Sequence, residues 1–303
     1  MHIALIIKIL GALLMVFSTT MLPPVLVAWL FGDNLVLPFL AAFAICFSAG
    51  LLLWMALLRQ KAELGIRDGF LLVTLFWLVL GIIGSLPFVM ILDLSVTDAI
   101  FESISGLTTT GASILSGLDQ MAPSLLYYRQ QLQWLGGMGV IVLAVAILPM
   151  LGIGGMQLYK AEIPGPMKEA KLTPRIAETA KALWYVYLLV TVACVLGYRF
   201  AGLSWFDAIC HSYSTVSTGG FSTRDASMAA YDLPAAHWVS AFFMFLSGAS
   251  FALMFAALRR ASLRTFLIDP EFRFYATLIA IYFSITAVVL WHDGRYGSLE
   301  ETV

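Results

Sequence analysis

Apolar residues run along nearly the whole chain in blocks separated by short polar or Gly/Pro-rich joints. Each block is long enough for a helix to cross about 30 Å of hydrocarbon at about 1.5 Å per residue. Read between charged and Gly/Pro punctuation, the pattern predicts helices over 3–30, 36–58, 68–92, 124–151, 181–201, 236–258 and 273–291. The first block lacks the small-residue cleavage site of a signal peptide, so it reads as a retained membrane helix. Pro23-Pro24 inside it predicts a kink or break near its outer end.

Two segments, 97–113 and 206–223, depart from this pattern: each starts as a short semi-polar helix and ends in Thr, Ser and Gly. Each lies between two spans on the same side, as a re-entrant loop would. Non-helical backbone at membrane depth survives only when buried in protein or facing water, so both should line a polar cavity.

The two segments also match each other. Asp98-Ala99-Ile100 aligns with Asp207-Ala208-Ile209, Ser103 with Ser212, Ser105 with Ser214, Thr109 with Thr218, Gly111 with Gly220 and Ser113 with Ser222, always 109 positions apart. The chain therefore carries a duplicated unit of span, short helix, turn and span, whose copies an axis along the membrane normal can relate. The turns read Leu107-Thr108-Thr109-Thr110-Gly111-Ala112 and Val216-Ser217-Thr218-Gly219-Gly220-Phe221, with no charge in either. A dehydrated K⁺ needs several oxygen dipoles in place of water, and glycine lets a backbone aim its carbonyls inward. Asp98 and Asp207 are expected at the N-caps of the short helices, whose C-terminal partial charges would face the cation path.

Composition agrees with the helix pattern. Of 303 residues 61% are hydrophobic and 12% charged, against about 25% charged in soluble domains, and the mean hydropathy is +0.92. Membrane lipid is the expected surrounding, and a net charge of -1 suggests no nucleic-acid partner. Thirteen of the 17 basic residues, Lys8, Arg59 and Arg259 among them, fall on one side, which the positive-inside rule makes cytoplasmic. That leaves Arg129, Arg199, Arg224 and Arg295 on or near the outer face. Cys46, Cys194 and Cys210 are widely spaced in apolar surroundings and read as free thiols.

Other residues compete for attention. Small residues in membranes also serve close helix packing, but two matching copies favour the filter reading. Glu102 and His211 occupy equivalent positions in the short helices, as functional ionisable groups or as hydrogen-bonding groups behind the turns. Asp207, His211 and Ser214 offer acid, base and hydroxyl, but no Gly-x-Ser-x-Gly elbow accompanies them and the first copy has Glu102 in place of the histidine, so no enzyme is expected. Gly136, Gly137 and Gly139 lack the Lys and Ser/Thr of a phosphate loop and read as packing residues. The basic connector 160–181 reads as a headgroup-facing loop or a contact for a soluble partner.

At these residues the sequence resembles the Trk/Ktr/HKT superfamily, and within it the Trk-type potassium uptake membrane subunit. The resemblance extends through Ser105-Gly106-Leu107-Thr108-Thr109-Thr110-Gly111, Gln133-Trp134-Leu135-Gly136-Gly137-Met138-Gly139, Leu148-Pro149, Gly154-Gly155-Met156-Gln157, Pro164-Gly165-Pro166 and Arg175-Ile176-Ala177-Glu178-Thr179-Ala180, and covers essentially the whole chain. It implies an all-α polytopic membrane protein of the cell inner membrane, built from repeated helix, pore loop, helix units of K⁺-channel type. An accessory hairpin (1–62) would precede a first pore unit (63–172, filter 108–113), a second (173–264, filter 217–222) and the first helix of an incomplete third (265–303). By the same resemblance, Thr109, Thr110 and Gly111 with Thr218, Gly219 and Gly220 would coordinate K⁺, the transported ion, and Thr108 and Ser217 would flank the inner end; no organic cofactor is implied. Implied partners are a second copy, as a homodimer, and a cytosolic nucleotide-binding regulatory subunit of TrkA type. Members of this family carry four filter segments, so the chain is expected to be a partial sequence, with two chains combining, or a non-conducting remnant or scaffold, as the alternatives.

Overall fold

The structure, a computed structural model, describes residues 2–59, 65–151 and 176–292. It divides into two compact units, Met1–Ser247 and Gly248–Val303. The motifs at 154–157 and 164–166, and residues 160–175 of the basic connector, lie outside the described residues.

The larger unit starts with α1 (Ile3–Ser18), a 3-10 turn at Thr19–Met21, and α2 (Leu22–Phe31). The expected break falls here because a proline, which lacks an N–H, costs no hydrogen bond in a helix's first turn. α3 (Val36–Ala56) packs on α1 through Gly11 and Gly50. A Cβ on Gly50 would lie 2.6 Å from the Gly11 carbonyl, so the two backbones touch as small residues allow within membranes.

α4 (Ile66–Ile83) and α5 (Leu86–Ile91) together fill the span expected at 68–92, interrupted at Gly84-Ser85 ahead of Pro87. Tyr128 donates to the Gly84 carbonyl at the break (2.8 Å), and its ring sits between Phe39 and Phe88. A neighbouring helix thus answers a polar group that lipid could not. Next come α6 (Val96–Leu107), α7 (Pro123–Leu151), α8 (Ile176–Phe200), α9 (Trp205–Val216) and α10 (Pro234–Ser247).

The smaller unit holds α11 (Phe251–Arg260), α12 (Arg264–Ile268) and α13 (Pro270–His292). The continuous helix expected at 236–258 is interrupted: helix stops at Ser247 and resumes at Phe251. Gly248 in the intervening Gly248-Ala249-Ser250 is a poor helix former, and a side chain on it would run into the Tyr275 ring.

Five helical stretches are long and apolar enough to cross a membrane, and the pair Pro234–Ser247 and Phe251–Arg260, taken as one broken span, makes a sixth among the described residues. The other expected span, 124–151, is the 29-residue α7. Large apolar side chains such as Trp29, Leu37, Leu52 and Phe200 point outward, as they do where the solvent is lipid. The three cysteines are free and buried.

Candidate pore-loop site

α6 and α9 are twelve residues each and stand 109 positions apart at both ends. Their caps correct the expectation for Asp98 and Asp207. The N-caps are Ser95 and Ser204, whose hydroxyls accept from the N–H of Asp98 (3.1 Å) and Asp207 (3.0 Å). Each carboxylate sits three residues in and accepts its own serine's hydroxyl, at 2.8 and 2.9 Å. The local signal was a Ser-x-x-Asp box, in which serine, with its shorter reach, outcompetes the acid for the cap.

Beyond each helix the backbone makes the same turn. Thr109 N–H donates to the Gly106 carbonyl and Thr110 N–H to Ser105; Thr218 N–H donates to Thr215 and Gly219 N–H to Ser214, all at 2.9–3.1 Å. Thr109 (φ 55°) and Thr218 (φ 53°) are left-handed, as are Gly111 (77°) and Gly220 (87°). A β-branched residue at positive φ costs roughly 1–3 kcal/mol, and such strain persists only where the surroundings enforce it. Its recurrence at matching positions marks the turn as a built conformation.

The hydroxyls turn back to the helices. Thr108 donates to the Ile104 carbonyl (2.7 Å) and lies 2.8 Å from the Thr110 hydroxyl; Ser217 donates to Ser214 (3.1 Å) and Thr218 to the Ser217 carbonyl (2.7 Å). Ser105 donates across the first turn to the Ala112 carbonyl (2.5 Å). Of the eight residues singled out from the sequence, Gly111, Gly219 and Gly220 meet at the contact between the loops: the place of a Gly111 Cβ is taken by the Gly219 carbonyl, with Gly220 Cα 3.6 Å away.

The glycine-rich stretch of α7 supports these turns, as the packing reading expects. Gly136 lies under the Leu107 carbonyl, and a Cβ on Gly137 would lie 2.8 Å from that of Ser217. Trp134 stacks on Tyr213 at 5.0 Å and accepts, through its carbonyl, the Tyr187 hydroxyl (2.9 Å).

Arg129, expected on or near the outer face, stands in the second turn of α7. It is fully buried and ion-paired with Glu102 at 2.7 Å, both side chains shut away from solvent. Glu102 also accepts from the Ser113 hydroxyl (3.0 Å) and the Ile114 N–H (3.2 Å). Counting charges by side reports topology and not depth, whereas an arginine among Gln130, Gln131 and Gln133 near the start of an apolar helix is a signal for a paired intramembrane charge.

His211, equivalent to Glu102, reaches the hydroxyls of Tyr231 (3.1 Å) and Thr223 (3.3 Å), and Thr223 donates to Asp207 (2.9 Å). Its Nε2 thus engages Tyr231 and Thr223, residues absent from the hydrolase reading. Further out, Arg224 and the Asp225 N–H both donate to Asp119, linking the two loops; the Asp225 N–H foremost, with Arg224 beside it, holds the Asp119 carboxyl below the usual carboxylate range. Among the described residues no three His, Cys, Asp or Glu side chains are grouped to hold a metal ion.

A family model described as TrkH, cation transport protein, matches residues 37–292. The Trk system potassium uptake protein TrkH of Halomonas elongata is 52% identical over 302 residues, covering 99% of this chain and 63% of that protein. Its counterpart in Escherichia coli is 49% identical, covering 100% and 63%, and the potassium uptake protein TrkG of the same organism is 39% identical, covering 97% and 61%. The crystal structure of the potassium transporter TrkH from Vibrio parahaemolyticus superposes with a TM-score of 0.87 at 46% identity, over 100% of this chain and 62% of that one. The chain thus spans a little under two thirds of the relatives it matches, and these are transporters and not enzymes.

Proposed function

Because the chain belongs to the TrkH family of cation transport proteins, we propose that it is a membrane subunit for potassium uptake and that its two re-entrant loops contribute oxygen ligands to a selectivity filter. The observation that carries this reading is the repeated turn: left-handed backbone at 109 and 111, and again at 218 and 220, with the two turns in contact at Gly111 and Gly219. Alternating left-handed and ordinary conformations turn successive carbonyls toward one side, where they replace an ion's water.

In this reading Thr109, Thr110, Gly111, Thr218, Gly219 and Gly220 present carbonyls to K⁺, and Thr108 and Ser217 flank the inner end. The Thr108 and Ser217 hydroxyls bind helix carbonyls. Residues 63–172 and 173–264 are the first two pore units, 1–62 the accessory hairpin and 265–303 the start of a third unit. Two loops offer oxygens on part of the ring around an ion, and other pore loops, from a longer chain or a second copy, complete it. The protein resides in the inner membrane with most of its basic residues cytoplasmic. A homodimer and a nucleotide-binding partner of TrkA type fit this scheme, the partner meeting the connector at 160–181.

The test is potassium-dependent growth of an uptake-deficient host. Rescue that is lost on Gly111→Ser or Gly220→Ser supports the filter. Normal insertion without rescue supports a non-conducting remnant.

A further inference from the structure

Arg129 and Gln133 stand four residues apart on α7 and therefore share a face. That helix belongs to the first repeat, yet both side chains reach the loop of the second. Gln133 Oε1 accepts from the Phe221 N–H at 3.1 Å, and its amide packs on Gly219. Arg129 donates to the Ser222 carbonyl at 3.2 Å, and its guanidinium lies 4.3 Å over the Phe221 ring. The same guanidinium donates to Glu102 (2.9 Å) and to Ser113 (3.0 Å) in the first loop. A planar fork of donors thus fastens the ends of both loops to one buried point.

We propose that Arg129 and Gln133 are positioning residues that hold the second loop in register with the first, and so set the ligand spacing on which ion selectivity depends. The proposal rests on reading the loops as a filter. Burying two charges is costly, and apolar residues of similar volume often stabilise a core as well or better, so simple packing gives no reason for the pair. Nor does the repeat itself require it: the helix after the second loop starts at Pro234, 111 positions after Pro123, and at that offset the counterparts of Arg129 and Gln133 are Ser240 and Met244, neither a donor fork nor an amide. The clamp is one-sided, from the first repeat onto the second.

Spin labels at Ser116→Cys and Ser227→Cys, both exposed sites, report the separation of the loops in the purified full chain, because Cys46, Cys194 and Cys210 are buried. Electron–electron resonance should give one narrow distance in the parent and a broad distribution in Arg129→Gln and Gln133→Leu. Arg129→Lys, which keeps the charge and loses the fork, should not restore it. Should Arg129→Gln fail to fold with Glu102 left charged, the Glu102→Gln/Arg129→Gln pair removes both charges and carries the same expectation. In parallel, the ratio of Na⁺ to K⁺ concentrations giving equal thermal protection should fall about tenfold in these variants, the scale of one charge-assisted hydrogen bond. An unchanged distance in the double variant and in Gln133→Leu overturns the clamp, as does an unchanged ion ratio in variants whose loops have moved. A parent with no K⁺ preference counts against the filter reading, while the label distances still decide whether Arg129 and Gln133 hold the loops.

Discussion

The carbonyl oxygen of Gly219 stands where a Cβ on Gly111 would be, so at this point the two loops meet backbone to backbone. No side chain of any size fits between them without moving one of the turns.

Gly111→Ala therefore carries two penalties, about 1–2 kcal/mol for left-handed backbone and roughly 1–3 kcal/mol for overpacking. Gly220, also left-handed, has nothing within 4 Å of a built Cβ and meets only the first. Melting of the purified protein and K⁺-dependent growth should both rank Gly111→Ala as the more damaging. Equal effects would remove the loop contact as the reason.

Tyr128→Phe leaves the Gly84 carbonyl without its donor inside the core. Its expected cost is about 1–3 kcal/mol, read as a lower unfolding midpoint in detergent with ion preference unchanged. Tyr128→Ala, which also empties the space between Phe39 and Phe88, should cost about 3–5 kcal/mol.

Ser95→Ala and Ser204→Ala each remove an N-cap and should destabilise by about 1 kcal/mol. By contrast, Asp98→Asn retains the serine cap and should cost less in the same thermal measurement. The reverse ranking would restore the aspartates as caps.

Gly50→Ala places a methyl 2.6 Å from the Gly11 carbonyl and 2.9 Å from the Met15 nitrogen, both backbone atoms that cannot swing aside. α1 and α3 must separate, at about 1–3 kcal/mol. Cysteine cross-linking between the two helices should slow, while the distance between the two loops stays the same.

The bonds from Asp225 N–H and Arg224 lower the folded-state pKa of Asp119 below its unfolded value. Their contribution is present above the unfolded pKa and is lost as pH falls through the folded one, that is, below the ordinary carboxylate range of about 4. A label in the Asp119 turn should gain mobility on acidification, and Asp119→Asn should abolish most of that change.

Much of this architecture is readable along the chain because a membrane helix declares itself by apolar length, and a duplication by spacing. The register of 109 between α6 and α9, and the pairing of Thr109 with Thr218 and Gly111 with Gly220, are visible without coordinates. The caps were readable too, as Ser-x-x-Asp, but an aspartate alone was the weaker guide. The break after Ser247 was not, because one glycine inside an apolar run lowers helix propensity without by itself ending a helix.

Sequence alone thus determined most of the helical segments, which two are related, and where the glycines of the turns fall, since these depend on local composition and period. Only the folded chain decided that Arg129 lies buried between Glu102, Ser113 and Ser222, and that a helix of the first repeat grips the loop of the second. Hydrophobic period gives the depth and face of an apolar helix, but a buried charge takes its place from partners distant in sequence, and those are chosen by packing in three dimensions.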